Sequence, residues 1–163
     1  MNVEAIRSLF HYNYWAHDQV WDCIMHLSDA QFTQELDYSI GSIRNHVVHV
    51  MSVDQRWIAR VQETNLPDRL DYADYPTRAA ARAKWDAVRT YILNYLDTLD
   101  AAQLNRQIVY DIPHRGGIKQ NAVWEILAHV VNHGTDHRAQ MLAMLYRLCA
   151  PTTEQDLMFY LWR

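Results

Sequence analysis

Apolar side chains recur every three to four positions through four long stretches of this chain, and little interrupts them. Only four glycines and four prolines occur in 163 residues. Helical periodicity with so few breakers argues against a loop-rich β fold and for several long amphipathic helices. The first stretch runs from about Val3 to Leu27, with Ile6, Leu9, Phe10, Trp15, Val20, Ile24 and Leu27 along one side. The second begins at Ser42, a good N-cap, and carries Ile43, His46, Val47, Val50, Val53, Trp57 and Val61 inward. Thr77 can cap a third through about Leu99, with Trp85, Val88, Ile92, Tyr95 and Leu96 inward. The fourth extends from about Ala122, with Asn121 as its cap, to Leu148.

The connections complete the architecture. Ser28 to Gly41 reads as a connector with a short capped turn, and Asn65 to Pro76 as a long loop. Between Arg106 and Gln120 the run Gln107-Ile108-Val109-Tyr110, then Pro113 and Gly116-Gly117, predicts two short strands or an irregular hairpin. Leu157 to Trp162 is a short apolar piece that packs on the rest. The fold class is all-α: a four-helix bundle with a long crossover connection and a short β-hairpin before the last long helix. Residues 1–163 are expected to form one domain.

Charge and cysteine usage exclude several roles. A net charge of −4 with no Lys/Arg run speaks against nucleic-acid partners. No segment approaches the roughly 20 apolar residues of a membrane span, and the opening MNVEAIRSLF lacks a signal peptide's apolar centre. Cys23 and Cys149 are isolated and read as buried thiols of a reduced, cytoplasmic protein.

The histidines carry the chemistry. His133 and His137 are four residues apart in a helix, which brings their Cβ atoms to about 5–6 Å. A lone histidine on an apolar face is more often a hydrogen-bonded core residue than a ligand. Two neutral imidazoles on one inner stripe are different, because a shared cation satisfies both. His129, one turn earlier, fits the role of a core histidine supporting a ligand. His46 and His49 lie on the facing helix, and both remain open as the third ligand, with His49 deeper in the run VVHVMSV. His11, His17, His26 and His114 read as surface or packing residues. Di-iron bundles need Glu-x-x-His pairs, and no glutamate here has a histidine three residues on. The HExxH spacing is absent too, and two cysteines exclude a Cys-rich zinc site. A nitrogen-rich site for one divalent ion remains: zinc, nickel or iron.

Several segments resemble the DinB-like, DNA-damage-inducible family. YNYWAH (Tyr12 to His17) is similar to its YNxWAN opening. SIRNHVVHVMSVDQRW (Ser42 to Trp57) is similar to its second-helix motif, in which a histidine precedes a tryptophan by eight residues. HVVNHGTDHRAQ (His129 to Gln140) resembles its HxxNHxxxHRGQ hallmark, and the ending DLMFYLW is also similar. Two positions depart: Ala139 stands for the usual glycine, and His17 for the usual asparagine. The resemblance implies a bundle, commonly a homodimer, binding a divalent metal through His49, His133 and His137.

That resemblance points to a metal-dependent enzyme acting on a small electrophilic substrate. The relatives include thiol-dependent S-transferases and isomerases, so a low-molecular-weight thiol is the expected cosubstrate, or water in a hydrolase. Asp54, Tyr110 and Asp136 are the candidate acid–base groups. The alternative is a non-catalytic, metal-stabilised bundle that binds a small ligand or serves a stress response, its site closed by His129 or Asp54.

Overall fold

Side-chain caps fix where three of the long helices begin. The computed structural model describes residues 1–163. Helix α1 spans Val3–Ile24, and the Asn2 side chain accepts from the Ala5 amide at 2.8 Å. A short helix α2, Asp29–Thr33, follows; Ser28 and Gln31 cap it reciprocally. Helix α3 spans Ile43–Val61, with Ser42 accepting from the Asn45 amide. Helix α4 spans Arg78–Asp97 behind a Thr77 cap, and the one-turn α5 covers Ala101–Asn105. Strands β1, Gln107–Ile112, and β2, Gly117–Ala122, pair antiparallel around a tight turn in which Gly116 adopts φ +87°. Helix α6, Val123–Arg147, is the longest, and α7, Leu157–Leu161, closes the chain.

The bundle and the hairpin expected from the sequence are both present. Helix α6 packs against α1 on one side and α3 on the other, and α3 also packs on α4. The core draws Ile6, Phe10 and Trp21 from α1, Val47 and Met51 from α3, Trp85 and Ile92 from α4, and Val130 and Met144 from α6. No helix is long and apolar enough to cross a membrane.

Four local expectations need correction. Helix α1 ends at Ile24 rather than Leu27, although Leu27 is still buried. Asn121 does not cap α6: it lies in β2 opposite Ile108. The Glu125 carboxylate holds the start of α6 instead, accepting from the Ala122 amide at 2.9 Å and from Asn121 Nδ2 at 3.0 Å. Val53 and Trp57 are half-buried rather than core residues; Trp57 packs at the edge of the core, against Tyr110 and His129. Cys149 is exposed at φ +56° beyond the end of α6, so only Cys23 is a buried thiol.

Helices α1 and α6 approach closely at Gly134. A Cβ there would meet Asn13 Oδ1 at 2.5 Å and both Arg138 Nη1 and His17 Nε2 at 3.1 Å. Arg138 is fully buried, and its bonds go to neutral oxygens on Asn13, Thr135 and Gln155. Asn13 therefore cannot swing aside without uncovering a guanidinium. Glycine-to-alanine in a helix ordinarily stabilises by about 0.8–1.0 kcal/mol. Here Gly134→Ala should reverse the sign and destabilise by about 1–3 kcal/mol in denaturant unfolding. A stabilised variant would contradict this packing.

Candidate metal centre

Four histidines from two helices face one another across the α3–α6 seam. Pairing runs in antiparallel order, so rising numbers on α3 meet falling numbers on α6. His49 Nε2 lies 3.2 Å from His133 Nε2, and His46 Nδ1 lies 2.9 Å from His137 Nδ1. One ring nitrogen from each of His49, His133 and His137 falls within 4.8 Å of the others. Two nitrogens on a tetrahedral ion at about 2.0–2.1 Å stand about 3.3 Å apart, close to the spacing of the His49–His133 pair. The donor set therefore fits a divalent ion.

The far sides of these rings also matter. His133 Nδ1 is buried, has no hydrogen-bond partner, and faces Asp54 Oδ1 at 3.7 Å. That separation is too long for a hydrogen bond. Yet the Asp54 oxygen is equally buried and unpartnered, so each is the other's nearest match. A carboxylate behind an imidazole is the usual support of a ligating histidine, fixing its tautomer through the second nitrogen. His46 occupies the corresponding place behind His137, fully buried, with its own Nε2 unpartnered.

Burial is the main reason His46, His49 and His137 stay uncharged. It pushes His49 down to about 4, helped by neighbouring His133 and Arg69. His137 falls to about 3, through burial and then through His133, His49 and His46. His46 falls to about 4, again chiefly through burial. Neutral imidazoles keep their lone pairs available at neutral pH, as metal binding requires. Burial raises the Asp54 carboxyl above its usual range, and His133 opposes that shift.

A family model described as the DinB family matches residues 1–163. The chain belongs to the DinB family. It is 28% identical over 159 residues to Protein DinB of Bacillus subtilis (strain 168), covering 94% of this chain and 92% of that one. Solved structures share the fold. A DinB-like protein from Bacillus cereus superposes with TM-score 0.63 at 14% identity, covering 86% of this chain and 91% of that one. A conserved Enterococcus faecalis protein gives TM-score 0.67 at 14% identity, with 89% and 96% covered. A DinB family member from Shewanella denitrificans gives 0.60 at 15% identity, with 94% and 87% covered.

Of the remaining expected residues of this DinB chain, His129 and Tyr110 line one cavity and Asp136 stands apart from it. His129 is exposed, its ring edge-on to Trp57 at 5.2 Å and 5.9 Å from His133. With Trp57, Tyr110 and Asn121 it lines a cavity of about 270 Å³. Tyr110 donates to Asn121 Oδ1 at 2.7 Å, and Asp136 is exposed. Of the departures from the family pattern, Ala139 faces solvent. His17 is buried against the Trp85 ring at 4.5 Å with Nε2 unpartnered. Spacing alone leaves His46 and His49 as rivals, and the family resemblance favours His49; both face α6, His46 against His137 and His49 against His133. The signal was there: a three-residue spacing on one helix opposite a four-residue spacing on an antiparallel one.

Depressed histidine pKa values give a pH signature. Below about 6.5 the unfolded chain takes up protons on His46, His49 and His137 that the folded chain refuses. Metal-free protein should therefore hold its melting temperature above about pH 6.5 and lose it progressively toward about pH 4. Replacing His49 by Phe should flatten the upper part of that fall, between about pH 6.5 and 5, where most carboxylates stay ionised. An unchanged profile would contradict the neutral-imidazole assignment.

Proposed function

We propose that this DinB-family chain binds one divalent metal ion through His49, His133 and His137 and works as a metal-dependent enzyme on a small electrophilic substrate. The observation that carries the reading is the meeting of three imidazole nitrogens within 4.8 Å beside a cavity. Three neutral ligands leave the ion its full charge, and when bound it supplies the Lewis acidity that makes a thiol or water nucleophilic near neutral pH. Zinc, nickel and iron suit such nitrogen ligands.

The chain's own residues supply position and environment. His133 binds through Nε2 and turns Nδ1–H toward the Asp54 carboxylate. His137 binds through Nε2 and turns Nδ1 toward His46. Trp57, Tyr110 and His129 form the wall along which a substrate reaches the site, and Asn121 holds the Tyr110 hydroxyl. Transfer to or from a low-molecular-weight thiol fits this reading, as does hydrolysis. The reading includes a homodimer in a reduced, cytoplasmic setting, where Cys23 and Cys149 remain free thiols.

Elemental analysis of the purified protein should find about one divalent ion per chain. His133→Ala and His137→Ala should each abolish binding; full retention in either refutes the ligand set. Asp54→Asn should weaken affinity by about 10–100-fold without unfolding the chain. A panel of thiol and hydrolysable substrates then separates the readings. Turnover lost on chelation and restored by metal supports the enzyme. Tight metal binding without turnover supports a metal-stabilised binding bundle.

A further inference from the structure

The four rings Tyr110, Trp57, His129 and His133 form a continuous row from the hairpin to the histidine cluster. Tyr110 meets Trp57 edge-on at 5.3 Å, Trp57 meets His129 at 5.2 Å, and His129 meets His133 at 5.9 Å. One turn beyond Trp57 on α3, the Arg60 guanidinium lies 4.7 Å from the Trp57 ring centre and 5.9 Å from that of Tyr110. Arg60 borders a second cavity of about 320 Å³, and Tyr110 lines both cavities.

Arg60 is short of partners. Its buried Nε has none, and its one hydrogen bond runs from Nη1 to the Arg56 carbonyl at 3.4 Å. By contrast, Arg78, Arg82, Arg89 and Arg106 each pair with a carboxylate. A guanidinium offers five N–H donors in a planar fork that matches a carboxylate and also stacks on aromatic faces. Two of the three acids lining these cavities are already engaged: Glu63 by Arg106, and Glu125 by Asn121 and the Ala122 amide. Asp111 is the third, and it forms no ion pair. Arg56, one turn back on α3, adds positive potential.

We propose that Arg60, Trp57 and Tyr110 form a substrate subsite for a small molecule that carries a carboxylate on a flat apolar body. The carboxylate pairs with Arg60, the body lies along Trp57 and Tyr110, and the far end points past His129 to the three histidines. This rests on the metal-site reading for its orientation but not for its binding, so the two fail separately. Asp111 is the competing feature: if it governs the cavity, the subsite takes a cation instead.

The test follows the Trp57 indole N–H signal by NMR, identified by its loss in Trp57→Phe, on full-length protein both metal-free and zinc-loaded. The probes are benzoate, benzyl alcohol and benzylamine. Benzoate should bind most tightly in both forms, and added salt should weaken it. Arg60→Gln should lower benzoate affinity about tenfold or more and leave benzyl alcohol unchanged. Arg60→Lys, which keeps the charge without the fork, should fall between, and it carries the test if the glutamine variant does not fold. Tighter binding of benzylamine, equal binding of benzoate and benzyl alcohol, or benzoate affinity indifferent to both variants would overturn the subsite. If benzoate binds only the zinc-loaded form, the carboxylate is held by the metal and Arg60 is not its partner. If zinc never binds but benzoate still needs Arg60, the subsite stands and the metal reading fails.

Discussion

Everything in this structure depends on imidazoles from α3 and α6 meeting inside a seam largely closed to solvent. Bringing polar rings out of water is unfavourable unless their nitrogens are matched. Here His46 and His137 meet through Nδ1, and His49 and His133 through Nε2. In each contact only one of the two nitrogens can donate, so further lone pairs and N–H groups need partners. A cation among His49, His133 and His137 would match three lone pairs at once, and Asp54 would then receive the His133 Nδ1 proton. The seam is expensive as an empty packing device and consistent as a metal centre.

The surrounding bundle encloses that seam. Helix α6 is clamped from both sides, by α3 through the histidines and by α1 through Gly134, Asn13 and Arg138. The hairpin contributes Tyr110, edge-on to Trp57, and with His129 these rings line a cavity next to the seam. One face of α3 thus carries His46 and His49, then Asp54, then Trp57 and Arg60. Spacing of three to five residues keeps them within reach of α6 or of the hairpin.

Much of this was legible in the residues. Helical period and the caps at Ser42 and Thr77 located α3 and α4, and Gln107 to Tyr110 with Gly116-Gly117 located the hairpin. The His133/His137 spacing marked the seam because four residues make nearly one turn. What stayed hidden depended on partners distant in sequence. Asn121 looks like a cap until Ile108 pairs with it and Glu125 takes over the helix start. His46 and His49 cannot be ranked from one helix, since only the antiparallel register with α6 assigns each a partner. Asp54 was named as an acid–base candidate, but its placement behind His133 needs the fold. Arg60 carried no signal at all, because an arginine's lack of an acid partner is a property of three dimensions.

The most direct measurement of the central claim is X-ray absorption at the metal edge of zinc-loaded protein. Three imidazole nitrogens at about 2.0–2.1 Å, with the remaining position filled by a light non-protein atom, is the predicted spectrum. A spectrum showing sulfur ligands, oxygen ligands alone, or a single imidazole would contradict the account.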